Sequence, residues 1–370
     1  MPKTPVRRQH IAQQLYAQAP TVAVTAAGLY EQYASEAGVW PPRPRQEYNV
    51  GQSIQHLCRP LADSVLMDSQ SLLEGHLEHE RHLPPGPSVE RDAELRAQLG
   101  ALKQVLSQRL PINDYILTAS YLNSAITHLT VPVSARAVSP KPLVNPHWEL
   151  AAKYLNLLLA GNRTDALTLI RQEAKRGTDV RDLYVNVFQE TQRKVGNLWH
   201  EGAISVAQEH YCTAATELAM ALVHPYLMNN RPTQRRLLAT TLSGDLHSMP
   251  VRIVSDFLEG DGWDAYFLGA STPINSIWPA MIAQRADLLV VGASMGHHVV
   301  GIRELIQEKE KYPECARMKV MVGGAPFNED PELWKAVGAD AYAADARQAV
   351  EVARELFVKA HSSSKSRPNS

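Results

Sequence analysis

The chain has 370 residues, with 37 Lys+Arg against 38 Asp+Glu and a formal charge of -1. It is long enough for two or three domains and lacks the global field that draws a protein to nucleic acid or an anionic membrane. Its 45% hydrophobic and 20% charged residues exclude an intrinsically disordered chain.

Three separated cysteines, Cys58, Cys212 and Cys315, give neither a disulfide framework nor a Cys-x-x-Cys metal site. With no apolar leader and no run of about 18 apolar residues, the expectation is a cytoplasmic protein that does not enter a membrane.

In chain order, residues 1–140 read as an N-terminal helical domain, sensory or oligomerising, broken by WPPRPR at 40–45 and LPPGPS at 83–88. A helical stripe runs through Ile54, Leu57, Leu61, Val65, Leu66, Leu72, Leu73 and Leu77, with Pro60 expected to start, kink or split it. A second stripe passes through Leu95, Leu99, Leu102, Val105 and Leu106. His76, His79 and His82, interleaved with Glu74, Glu78, Glu80 and Arg81, read as a solvated face. His56, Cys58 and His128 lie in more apolar surroundings. The proline-rich stretch 131–146 reads as an interdomain connector.

Residues 143–231 carry four helix-like runs with short breaks, the wiring of a four-helix bundle. From 232 to 360 the pattern changes. LLATTLSG (237–244), WDAYFLG (263–269), DLLVVGAS (287–294), KVMVGG (319–324) and DAYAAD (340–345) are short apolar runs, each followed by a helix-compatible stretch. That alternation predicts a flavodoxin-like, doubly wound, parallel five-stranded sheet with its ligand at the carboxyl ends of the strands. The fold class is therefore α plus α/β, with 361–370 expected to be a disordered tail.

Chemistry belongs at the strand exits. After the first strand come Asp245 and His247, a carboxylate placed to orient an imidazole that offers its other nitrogen to a metal. After the third comes Ser294, with a hydroxyl for a polar appendage, and after the fourth Gly323-Gly324, which let backbone approach a bulky ligand. The alternative for the histidine is a helix cap, and for the glycines an ordinary turn.

These three exits resemble the cobalamin-binding domain of methionine synthases and cobalamin-dependent mutases, which carries Asp-x-His-x-x-Gly, Ser-x-Leu or Ser-x-Thr, and Gly-Gly. The resemblance implies that His247 replaces the dimethylbenzimidazole base as lower cobalt ligand, that Asp245 orients it, and that the nucleotide tail inserts beside the sheet. Pro250 and Gly296 depart from the motif; proline is acceptable at the first helical position but removes an N–H.

The helical run before the sheet resembles the light-sensing cobalamin receptors through Trp199-x(9)-Glu209-His210, with Val206 between. That implies adenosylcobalamin held between cap and sheet, Trp199, Val206 and Glu209 on the adenosyl side, and His200 as upper cobalt ligand after light. The helical N-terminus looks like that of the photocobilins, which implies biliverdin as a second chromophore; a dimerisation surface is the competing reading.

The expectation is a non-enzymatic light sensor: a homo-oligomer, dimer or tetramer, with an unknown protein output partner and no direct contact with nucleic acid. The alternative is a corrinoid carrier protein for methyl transfer. Less favoured are an adenosyl-dependent radical enzyme, which lacks a substrate barrel here, and a module that has lost cobalamin.

Overall fold

A computed structural model of the chain describes residues 4–37, 39, 49–82, 89–131, 145–228 and 232–363. The proline-rich stretches 40–45 and 83–88, most of the expected connector (132–144) and the tail 364–370 lie outside the described residues. The chain divides into two compact units, one of residues 1–141 with 295–300 and one of residues 142–294 with 301–370.

The first unit is helical, as expected: α1 (Thr4–Glu36), α2 (Val50–Met67), α3 (Ser71–His82), α4 (Val89–Arg109) and α5 (Ile112–His128). α1 packs along α2 and α4. The two stripes become the core: Leu57, Leu61, Val65, Leu73 and Leu77 meet Leu95, Leu99, Leu102, Val105 and Leu106. Pro60 neither starts nor splits its helix but sits inside α2. Gly100 is required where α4 crosses α1, since a Cβ there would lie 2.7 Å from the Tyr33 ring.

The expected solvated face on α3 is corrected by the packing. Arg81 is 1% exposed and pairs with Asp92 and with Glu78. Arg91 joins Glu80 at 3.0 Å. The His76 side chain is 18% exposed, and burial pushes its pKa down to about 4. Arg81 and Glu80 can turn inward because each meets an oppositely charged partner on α4, Asp92 and Arg91.

The second unit begins with α6 (Trp148–Leu159) and α7 (Arg163–Lys175). Next, Val180–Asp182, a π-turn Leu183–Gln189 and Glu190–His200 run on as α8, followed by α9 (Val206–Val223) and a 3-10 turn, His224–Leu227. Their shared core includes Tyr154, Leu183, Tyr184, Val187, Phe188, Val195 and Met220, and it continues into Met249, Ile253 and Phe257. The last three belong to α10 (Met249–Gly260), so the bundle rests on the first crossover helix of the sheet.

That sheet has five parallel strands in the order β2-β1-β3-β4-β5. They are β1 (Arg236–Leu242), β2 (Asp264–Thr272), β3 (Leu288–Gly292), β4 (Lys319–Gly323) and β5 (Ala341–Tyr342). Between and after them lie α11 (Ile274–Gln284), α12 (Gly296–Glu308), α13 (Ala325–Glu329), α14 (Leu333–Val337) and α15 (Ala346–Ser363). Every residue of β3 is buried, as in a parallel sheet covered on both faces. The winding direction reverses between β1 and β3, and a crevice opens where their two exit loops diverge.

Side chains shrink toward that crevice. On the face carrying α10 and α15, Leu288 and Val290 precede Gly292 on β3, Met321 precedes Gly323 on β4, and Ala341 precedes Ala343 beyond β5. Small residues continue onto α15 as Ala346 and Ala349.

Candidate cofactor site

The β1 exit turns at Gly244, whose φ of +88° suits glycine, and delivers Asp245 into the crevice. Asp245 is fully buried. Its carboxylate accepts the Ser294 N–H at 2.9 Å and the Ser294 hydroxyl at 2.7 Å, both from the β3 exit, and the His247 N–H at 3.1 Å. Its backbone carbonyl accepts from the Thr241 hydroxyl and the Ser271 N–H. A buried charge is tolerated because donors from two loops surround it.

His247 lies 3.3 Å from Asp245 through Nδ1, while 71% of its side chain is exposed. With Nδ1 on the carboxylate, Nε2 points to the opposite side of the ring. The hydrogen bond to Asp245 raises the His247 pKa, burial opposes this, and the charges of Asp245 and Glu209 add to the rise. Leu246 beside it is 75% exposed. The Ser294 proton, expected to serve a ligand's polar appendage, is given to Asp245.

Behind His247 a cavity of about 360 Å³ opens between the sheet, α10 and α15. Asp245, His247, Ser294, Gly323 and Gly324 all line it, so the structure brings the sequence-selected exits together. Gly324 has φ +108°, and a Cβ there would meet the Ala293 carbonyl oxygen at 2.1 Å. Gly323 is close behind, 2.8 Å from the Ala343 carbonyl oxygen by the same measure. Pro250 lines the same cavity from the first turn of α10. The reading of the sequence missed Gln189 and Arg193 of α8, and Asn328 and Asp345 near the fifth strand; no motif marks them, since only the folded arrangement gathers them.

The cap residues sit at the α8–α9 corner. Gly202, at φ +70°, ends α8 with the Gly202 N–H on the Trp199 carbonyl and the Ala203 N–H on the Leu198 carbonyl. Ser205 and Gln208 form a capping box that starts α9. Trp199 is half-buried and Val206 is 53% exposed. Glu209 accepts the Thr213 hydroxyl at 3.0 Å and lies 2.5 Å from Nδ1 of the exposed His210. The side chain of His200 lies outside the described residues.

A second polar cluster escaped the sequence reading. His224 lies 3.0 Å from Glu259 and 3.7 Å from Asp256, while the Tyr184 hydroxyl donates to Asp256 at 2.8 Å. The three acidic and imidazole groups are close enough to share an ion, but Arg252 at 3.8 Å from Asp256 already supplies a cation. Bonding to Glu259 raises the His224 pKa against the effect of burial, and burial raises that of Asp256. The cluster joins α8 and the turn after α9 to α10.

A doubly wound domain with a carboxylate-oriented imidazole at its switch point, and a hollow behind it, is the class of protein that binds a large cofactor at its strand exits. Residues 235–353 match a B12 binding domain family, and residues 150–223 match a second B12 binding domain family. Dimethylamine corrinoid protein 3 of Methanosarcina mazei is 32% identical over 118 residues, covering 69% of that protein and 32% of this chain. Dimethylamine corrinoid protein 2 of the same organism is 26% identical over 199 residues, covering 92% of that protein and 53% of this chain. The monomethylamine corrinoid protein of Methanosarcina barkeri superposes with a TM-score of 0.51 at 22% identity, covering 57% of this chain and all of that one; it shows the shared fold. The chain belongs to the B12-binding corrinoid protein family, and it binds a cobalamin-type corrinoid.

These relatives correct the expected function. The light-sensing reading, with its biliverdin, is overturned by a kinship to dimethylamine corrinoid proteins over 199 residues. The physical reason is that a helical cap shields an upper corrin face whatever group that face carries, so Trp199, Glu209 and His210 do not name the group. The three first-unit residues expected in apolar surroundings differ from one another. His56 is exposed, the buried Cys58 thiol donates to the Ile54 carbonyl with its pKa pushed up to about 12, and His128 is engaged by Glu78 at 2.7 Å.

Proposed function

We propose that this protein is a corrinoid carrier for methyl transfer, which presents its cofactor to a separate methyltransferase and is not itself the catalyst. The observation that carries the reading is His247, set by a fully buried carboxylate and offering its second nitrogen to solvent at the mouth of a cavity. Kinship to proteins named as dimethylamine corrinoid proteins directs that reading to methyl transfer.

When bound, the corrinoid supplies a cobalt centre able to accept and release a methyl group. The chain's own residues supply the rest. His247 would be the residue that holds the cobalt, since neutral imidazole is a competent donor to it. Asp245 fixes the ring, and Ser294 fixes Asp245, which is the outer-shell arrangement that orients a ligating histidine. Gly323 and Gly324 would leave room at the crevice wall for a bulky ring. Trp199, Val206, Glu209 and His210 belong to the cap, which would keep water from the bound corrinoid and would have to yield to an approaching partner; an adenosyl group is the competing occupant.

The test loads the full chain with cobalamin, reduces it, methylates it with iodomethane, and mixes it with a methylamine-type methyltransferase and a thiol acceptor. Methyl transfer to the thiol that requires both proteins supports the carrier reading. Retention of the methyl group, or stable preference for an adenosyl group, overturns it. His247→Ala should lose the histidine-ligated spectrum, and gel filtration of the loaded chain decides between monomer and the expected dimer or tetramer.

A further inference from the structure

The polar cluster at the end of the bundle stands apart from the cofactor site. Asp256 lies six residues beyond Pro250 on α10, about 9 Å along the helix axis. Neither it, Glu259 nor His224 lines the cavity behind His247.

Three donor atoms converge there. Asp256 and Glu259 are three residues apart and so share one face of α10, and the turn after α9 brings His224 against them. His224 Nε2 lies 3.0 Å from Glu259 Oε2 and 3.7 Å from Asp256 Oδ1, and all three atoms fall within 4.8 Å of one another. Ligands at the corners of a tetrahedral zinc site, with bonds of about 2.0–2.1 Å, stand about 3.3 Å from each other. The cluster is a small adjustment from that spacing.

The two oxygens of Asp256 are treated differently. Oδ2 accepts the Tyr184 hydroxyl at 2.8 Å and faces Arg252 at 3.8 Å. Oδ1 accepts no hydrogen bond among the described residues, although Asp256 is only 6% exposed, and it faces His224 and Glu259. A buried carboxylate oxygen without a donor is costly. Burial accordingly holds the Asp256 pKa above its ordinary value, against the opposing effects of Tyr184, His224 and Arg252. The cation that Arg252 supplies therefore answers one oxygen and leaves the other unserved. Tyr184, by fixing Oδ2, gives Asp256 the outer hydrogen bond that orients a ligating carboxylate.

One imidazole with two carboxylates suits Zn²⁺ and its first-row neighbours, whereas Mg²⁺ and Ca²⁺ favour sets made of oxygen alone. Two carboxylates and Arg252 leave one negative charge beside a neutral imidazole, which attracts a divalent cation. In the metal-free chain the Nε2 proton lies between His224 and Glu259; the ion takes its place and the proton passes to solvent.

We propose that His224, Asp256 and Glu259 form a zinc-type metal site that fastens the turn after α9 to α10, separate from the corrinoid and independent of the methyl-transfer reading.

The experiment strips the full, corrinoid-free chain with a chelator, titrates it with zinc chloride in competition with a chromophoric chelator, and counts zinc per chain by elemental analysis after gel filtration. Wild type is expected to retain one zinc ion that Glu259→Gln and His224→Ala bind at least tenfold more weakly. Zinc should also raise the thermal midpoint of wild type and not of the variants, since only the folded chain assembles the three ligands. The Glu259 side chain is one-third exposed, so Glu259→Gln is expected to fold, and it decides the matter if His224→Ala does not. Equal zinc affinity in wild type and Glu259→Gln puts the ion elsewhere and overturns the site, as does a wild-type chain that retains no zinc. Magnesium raising the midpoint as far as zinc does would deny the imidazole its part and overturn the zinc-type assignment.

Discussion

Asp245 ties together two loops that are 49 residues apart in the chain, because the β1 exit supplies the carboxylate and the β3 exit supplies Ser294. Removing the Ser294 hydroxyl leaves a buried anion with one fewer charge-assisted hydrogen bond. Ser294→Ala is expected to cost about 2 kcal/mol, seen as a lowered midpoint in thermal unfolding, and to loosen the His247 ring. A midpoint equal to wild type would mean that the clasp contributes nothing. The motif residues themselves were readable at this scale: an aspartate two before a histidine at a strand exit has few uses, and the fold delivers both to the crevice. The pairing of Asp245 with Ser294 was not readable, since a serine after a strand is equally suited to solvent or ligand.

At the scale of elements, two turns separate conformational need from steric need. Gly244 and Gly324 both have positive φ, but a Cβ at Gly244 would meet nothing within 4 Å, whereas at Gly324 it would strike the Ala293 carbonyl. Gly244→Ala should therefore cost about 1–2 kcal/mol, the left-handed penalty alone. Gly324→Ala should cost well beyond that and disturb the β3 and β4 exits together. Comparison of the two denaturation curves checks the ordering.

The π-turn in α8 matters in the same way. It contains Tyr184, which reaches Asp256, and precedes Arg193, which reaches the cavity rim; such turns re-aim side chains without ending a helix. Tyr184→Phe withdraws a hydrogen bond from a buried carboxylate and should destabilise the bundle-plus-sheet unit by about 2 kcal/mol, measured by urea unfolding with an unchanged m-value. The helix itself was legible from periodicity over 179–200, but the register change inside it was not, because one extra residue per turn leaves an apolar stripe nearly intact.

For the molecule as a whole, the junction at His224 sets a pH dependence. The folded-state pKa of His224 lies above its ordinary value because of Glu259. Its contribution to stability is therefore full below about pH 6.5 and is lost as pH rises through the raised value. With both partners partly exposed, the effect is about 0.5–1 kcal/mol. His224→Gln should flatten the melting temperature above pH 6, and an unchanged slope would assign it to other groups. Because all the candidate site residues lie within the second unit, a chain beginning at Pro142 should bind cobalamin with the affinity of the full chain. A large loss would mean that the first unit contributes to the site.

The sequence by itself determined the order of helical and parallel-sheet regions, the strand exits and the identity of Asp245, His247 and the Gly-Gly pair. Those depend on local periodicity and on residue types that are chemically restrictive. Tertiary structure alone decided the cavity, the buried clasp on Asp245, the burial of Arg81 and His76, and the Tyr184–Asp256–His224–Glu259 junction. Each of these joins residues distant in the chain, and which of them meet is set by the strand order β2-β1-β3-β4-β5 and by the sheet face a side chain occupies, neither of which any single segment encodes.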